Sequence, residues 1–236
     1  MKKYLLKISV IILLLFNSCI ARYHYPKSVD IPLIKNKGDI RLDIGGFVVH
    51  DLVESALPGG QVTFSAGLTN IVAIQTHVSV DAVDKIHLQG AMGLYKKIDD
   101  ETVIELYSGY GVGWICENNN FNYHLAFSQF NIGKTGIGAK KYIDYGLGLK
   151  GGYLFVGNYG DKNNAKYQNN SGYYQYYFRD YPENVWLFEP SIFFRFGGRR
   201  AKLSTRVNYL LINKEIDVYY LPLSISAGVN FSFGKR

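Results

Sequence analysis

The sequence predicts an all-β chain: a closed antiparallel up-and-down transmembrane β-barrel of about ten strands behind a cleaved signal helix. Three observations predict it. Apolar and polar residues alternate with a period of two through most of the chain after Gly38. Aromatic residues and glycine are plentiful, with 20 Tyr, 14 Phe and 25 Gly, and no long apolar run follows Cys19. The connections between the alternating segments switch between compact and long.

The chain opens with Lys2, Lys3 and Lys7 around an apolar run, Ile8–Phe16, that is too short to cross a bilayer as a helix. Asn17 and Ser18 then lead into Cys19. A basic start, a short apolar core and a small residue before cysteine read as an export signal over 1–18. Cys19 then becomes the acylated first residue of the mature chain. Phe16 and Asn17 depart from the usual lipobox, whereas Ser18 fits it. Cleavage would remove the three lysines and lower the formal net charge from +7 to +4. That mild basic balance suits an anionic lipid surface and makes no case for nucleic acid. With Cys19 lipidated, Cys116 has no cysteine left to pair with, so no internal disulfide is available.

Residues 19–37 contain Pro26 and Pro32, scattered charge and no sustained period. They read as a linker tethering the lipid to a folded body over 38–236. A first strand follows Gly38. Gln61–Thr69 sets Val62, Phe64, Ala66 and Leu68 against Gln61, Thr63, Ser65, Gly67 and Thr69. Ile71–Asp81 opposes Val72, Ile74, Val78 and Val80 to Ala73, Gln75, His77 and Ser79, and Ile86–Tyr95 opposes Ile86, Leu88, Met92 and Leu94 to His87, Gln89, Ala91 and Gly93. The alternation continues through Val103–Trp114, Tyr142–Tyr153, Trp186–Gly197, Ala201–Ile212 and Leu221–Phe233. Near Tyr123–Gly133 the register is unclear and a bulge would fit.

Compact turns are expected at Thr69-Asn70, Asp99–Glu101, Gly136–Lys140 and Gly197–Arg200. Longer or more polar connections are expected at Asp51–Gly60, Asp81–Lys85, Glu117–Asn122, Gly157–Val185 and Lys214–Tyr220. An even strand number puts both ends of the barrel on the short-turn, periplasmic side, and the N-terminal lipid with them. Sidedness favours a membrane over water. Trp186, Phe188, Ile192, Phe194 and Phe196 share one face and Glu189 and Arg195 the other, while Leu203, Val207, Tyr209 and Leu211 oppose Lys202, Arg206 and Asn208. A soluble lipocalin-like carrier would turn these faces the other way. Trp114 and Trp186 fall at the long-connection end, where an aromatic girdle lies. The last strand, Leu223–Phe233, ends in aromatic alternation, followed by Gly234-Lys235-Arg236.

With these features the chain resembles the small outer-membrane β-barrel proteins of Gram-negative bacteria, in a lipidated variant. The resemblance covers 38–236 as architecture rather than as a motif. It implies a filled or narrow lumen, mobile surface loops, and outer-membrane lipid and lipopolysaccharide as surroundings. It does not choose among anchor, adhesin, pore and lipid-modifying enzyme.

Several segments invite a chemical reading. Ser128–Thr135 approaches a P-loop, but Ser128 replaces the first glycine and no helix follows, so a strand running into a turn is the better reading. Gly109, Gly111 and Gly113 fall on one strand face and make room for larger lumen side chains. If Val80 pairs with Ile86, Ser79 lies opposite His87 and Gln89 opposite His77. A Ser–His pair with Asp81 or Glu105 nearby is the pattern of a small hydrolase, against which stands a hydrogen-bonded lumen network. Two imidazoles without a third ligand fall short of a metal site, and nothing indicates a cofactor. Lys150, Glu105, Glu189, Arg195, Lys202 and Arg206 form a lumen set of mixed sign, which favours a plugged interior. In the loop 157–185, Tyr173, Tyr174, Tyr176, Tyr177, Phe178 and Tyr181 among asparagines can supply adaptable contact area for recognition. The reading is therefore non-enzymatic: an outer-membrane barrel lipoprotein acting through its surface loops.

Overall fold

Every backbone amide that enters hydrocarbon needs an internal partner, and a sheet satisfies them all only by closing on itself. In the computed structural model it does close. The structure describes residues 23–24, 30–50, 56–82, 85–115, 122–137, 142–156, 185–213, 219–220 and 222–234. Ten antiparallel strands form the wall. They are β1 (Ile40–His50), β2 (Ala56–Gly67), β3 (Val72–Asp81), β4 (Lys85–Lys97) and β5 (Thr102–Ile115). They continue with β6 (Asn122–Ile137), β7 (Tyr142–Val156), β8 (Val185–Gly197), β9 (Ala201–Tyr209, prolonged by Leu211–Ile212) and β10 (Leu223–Phe233). Each strand pairs with its sequence neighbours, and β10 returns to β1 with Phe233 opposite Ile40 and Leu223 opposite His50.

The inside-out pattern holds around the barrel. Ile44, Val62, Phe64, Leu88, Leu106, Leu147, Trp186, Ile192, Phe194, Phe196, Leu203 and Ile225 are exposed on the outer face. Inward-pointing Thr63, His77, Gln89, Glu105, Lys150, Glu189, Arg195 and Arg206 are buried. Exposed hydrocarbon wrapped around enclosed charge fits a lipid bilayer and excludes the soluble-carrier alternative. This is a closed up-and-down β-barrel with the sidedness of a transmembrane wall. Trp114 and Trp186 lie where expected, and Trp186 packs edge-on against Tyr153, which meets Phe155 in the same way. These rings form part of the girdle at the long-connection end.

The strand ends depart from expectation in instructive ways. Leu57-Pro58-Gly59-Gly60 reads as loop but belongs to β2, with Pro58 opposite Val48 and Gly59 opposite Phe47. Gly59 is there because a Cβ would collide with the inward Phe47 ring. The connection is therefore 51–55, and together with 82–84 it is short. The asymmetry of the two ends rests on 116–121, 157–184 and 213–222. The unclear register of β6 also has a cause. Tyr123, Leu125 and Phe127 point inward and pack with Leu154, Val185, Leu187 and Leu210, whereas Phe130 and Ile132 point to lipid. One strand thus carries apolar residues on opposite faces in its two halves, which erases a single period. A register shift follows between Lys134 and Ile137, with Gly136 at φ 81°.

The compact turns are built by local hydrogen bonds. Thr69 Oγ1 accepts from the amides of Ile71 (3.2 Å) and Val72 (2.9 Å). The Asp99 carboxylate accepts from the amides of Glu101 (2.8 Å) and Thr102 (2.6 Å), and those donors hold its pKa below the ordinary carboxylate range.

Candidate functional site

The lumen is where the buried polar groups gather, and its central feature comes from the segment before β1. β1 does begin at the short-turn end, as strand counting predicts. The preceding residues do not continue away from the barrel. Asp30, Ile31, Leu33 and Ile34 are fully enclosed within it. The Asp30 carboxylate accepts from Arg206 Nη2 at 2.9 Å and Arg195 Nη2 at 3.1 Å. Asp43 stands 3.8 Å from each of the same guanidinium nitrogens. The Asp30 carbonyl accepts from Gln129 (2.6 Å) and Gln75 (3.0 Å), and the Ile31 carbonyl accepts from Arg195 Nη1 (2.8 Å). The Ile34 amide donates to Glu105 Oε1 at 2.8 Å.

Between these polar ties the segment buries its apolar side chains. Ile31 and Leu33 pack with Val103 and Phe193, and Ile34 packs with Ala73, Tyr95 and Tyr107. Leu33 holds a left-handed backbone, φ 54°, directly after Pro32. That conformation costs a non-glycine residue about 1 kcal/mol, and it persists because its surroundings fix it. The linker expectation for 19–37 is therefore corrected for 30–34. The absence of a sheet period suggests a segment outside the body, but a segment inside a barrel needs no sheet period, only partners for its backbone.

Elsewhere the charged lumen set pairs as its mixed sign suggests. Lys150 Nζ lies 3.3 Å from Glu189 and donates to Gln89 at 3.2 Å. Lys202 Nζ meets both oxygens of Asp144 at 2.6 Å, and Asn131 donates to Glu105 at 2.9 Å. Asp144 and Asn131 were missed in the sequence. Only their parity with Glu105 and Arg195 on the inner face could have marked them.

The hydrolase pattern forms in register but not in contact. Ser79 does lie opposite His87 and Gln89 opposite His77. Yet His87 Nδ1 is bonded to the Tyr123 hydroxyl at 2.8 Å and its Nε2 to Gln89 Oε1 at 3.3 Å. His77 Nδ1 is bonded to Thr63 Oγ1 at 2.8 Å, and the Ser79 hydroxyl has no hydrogen-bond partner among the described residues. Nucleophile and base are thus adjacent but not joined. Among the described residues, no group of three or more His, Cys, Asp or Glu is placed to hold a metal ion. Ser128–Thr135 lies wholly within β6, so it forms no phosphate-binding loop. The glycine reading holds: Gly113 lies under the Tyr123 ring, Gly111 beside His87 and Gly109 beside Phe127.

At the short-turn end the lumen opens into a cavity of about 500 Å³ lined by Lys35, Arg41, Arg199, Arg200 and Lys202 against Asp39. Lys35 Nζ donates to the carbonyls of Asp100 (2.6 Å) and Thr135 (3.2 Å), and Arg41 donates to Ser232. This mouth carries net positive charge and would draw anions rather than cations. The loop aromatics Tyr173, Tyr174, Tyr176, Tyr177 and Tyr181, like Cys19 and Cys116, lie outside the described residues.

No protein-family model matches this chain, and no curated protein matches it. Among solved structures it is similar to a NanC porin, at 11% identity and a TM-score of 0.37, over 84% of this chain and 100% of that one.

Proposed function

We propose that this protein is a lipid-anchored outer-membrane barrel that conducts little or nothing and serves as a scaffold for recognition by its long loops. The observation that carries the scaffold reading is the filled lumen. The Asp30 segment and its arginine partners occupy the interior that a pore would leave open. The unjoined Ser79 and His87 favour a non-enzymatic role over a lipid hydrolase. Tyr173, Tyr174, Tyr176, Tyr177 and Tyr181 are the residues to which recognition is assigned, on their composition and position between β7 and β8. The lipid is assigned to Cys19 on the signal that precedes it.

The test combines labelling with fractionation. Cells fed labelled palmitate incorporate it into the wild-type chain and not into Cys19→Ala. That variant remains in the outer-membrane fraction and still migrates faster on a gel before heating than after. Wild-type protein without label removes the lipid assignment. A variant found in the soluble extract removes the embedded barrel.

A further inference from the structure

The lumen segment has two ends, and they lie at opposite mouths of the barrel. Its C-terminal end is fixed at the short-turn mouth. There the Asp39 carboxylate accepts from the amides of Lys35 (3.1 Å) and Asn36 (3.0 Å), and Gly38 donates to the Gly67 carbonyl at 2.8 Å. From there the chain enters the lumen through Ile34 to Asp30. Residues 25–29 are not described, but the next described pair is Tyr23–His24. It pairs in parallel with Tyr219–Tyr220, which lies in the connection between β9 and β10 at the long-connection mouth. Strand counting alone had put the N-terminus at the other mouth.

The reach agrees with a path through the interior. Asp30 lies level with Gln75 of β3, whose amide donates to its carbonyl. From Gln75 the strand climbs to its end at Asp81, about six residues or roughly 20 Å. From Asp30 to His24 is also about six residues, which spans roughly 20 Å when extended.

We propose that the mature N-terminus reaches the long-connection side by threading the barrel, so that the lipid on Cys19 enters the leaflet on that side. For an outer-membrane barrel this is the outer leaflet, and the protein is a surface-anchored lipoprotein rather than a periplasmically tethered one. The proposal rests on the lipid and membrane assignments above and supplies their direction. Cys19 stands just before Tyr23, and the intervening residues reach about 14 Å from that mouth when extended. That is enough to leave the rim and turn down beside the aromatic girdle. The segment is held at Asp30 by charge-assisted hydrogen bonds from two arginines and at Ile31, Leu33 and Ile34 by buried packing. Withdrawing it would uncover all of these groups together, so residues 30–34 are a fixed part of the lumen.

Single cysteines in a Cys116→Ser background test the direction, each variant first shown to keep its heat-modifiable migration. Tyr23→Cys reports the N-terminus, Ala82→Cys the long-connection end and Asn70→Cys the short-turn end. Intact cells are treated with a membrane-impermeant maleimide, and the treatment is repeated after the outer membrane is permeabilised. Tyr23→Cys is expected to label with Ala82→Cys in intact cells, while Asn70→Cys labels only after permeabilisation. Tyr23→Cys behaving like Asn70→Cys overturns the threading. Identical labelling of all three positions in intact cells overturns the outer-membrane assignment itself, and the leaflet assignment with it.

Discussion

Replacing Asp30 with asparagine is expected to cost about 3–5 kcal/mol of barrel stability, the usual loss when one member of a buried ion pair is removed. Asp30 is 1% exposed and shares one carboxylate oxygen between Arg195 and Arg206. Asp43, at 3.8 Å from each of those two guanidinium groups, is the other carboxylate seen beside them among the described residues. The penalty is mostly the desolvation of a cation left behind rather than the lost contact. Urea unfolding in lipid vesicles, followed by the fluorescence of Trp114 and Trp186, reads this as a lowered midpoint with an unchanged slope. Adding Arg206→Met to Asp30→Asn should recover part of the loss, because it removes one of the two buried positive charges that faced the Asp30 carboxylate. An Asp30→Asn barrel as stable as wild type would mean that the segment is not held in the lumen.

A charge placed on the other side of the wall has a comparable cost for a different reason. Ile192 is 55% exposed in mid-strand, opposite Leu147 on β7 and Val207 on β9, all on the outer face. Ile192→Arg carries a guanidinium into hydrocarbon, at about 2–4 kcal/mol near the bilayer midplane. The neighbouring inward change, Ser191→Ala, removes one hydroxyl that donates to the Gly148 carbonyl at 3.3 Å. It should cost about 1 kcal/mol or less. Folding yields into vesicles, scored by heat-modifiable migration, should fall sharply for the first variant and little for the second. Were the faces reversed, Ile192→Arg would be tolerated.

Much of the wall was legible because a transmembrane strand must alternate. Trp186–Gly197 and Ala201–Ile212 could be assigned side by side from their charged and aromatic faces, and the Val80–Ile86 register follows from the short link between those strands. Where the outer surface stops being the apolar one, the signal fails. Tyr123, Leu125 and Phe127 fill the lumen while Phe130 and Ile132 face lipid, so β6 shows no consistent period. Gly59 and Gly60 resemble a turn because glycine marks both turns and close approaches, and at Gly59 the inward Phe47 ring requires the gap. The lumen segment was the least legible part. Its carbonyls and amide are satisfied by Gln75, Gln129, Arg195 and Glu105, residues remote in sequence, and such pairing leaves no local pattern. The apolar run Ile31-Pro32-Leu33-Ile34, separated from the first strand by residues 35–39, is its one sequence trace. In the hydrolase pattern, the register was readable but the bond was not. Whether Ser79 meets His87 depends on Tyr123, two strands further round, taking the imidazole first.

Spin labels at Ile192, Phe194 and Val207 and at Ser191, Ser204 and Asn208, in barrels reconstituted into lipid bilayers, ask directly which medium each face meets. The structure predicts that labels at the first three positions collide with dissolved oxygen and are shielded from a water-soluble nickel complex, while labels at the inward three are sheltered from both. Nickel reaching positions 192, 194 and 207 as freely as it reaches an exposed turn would contradict it.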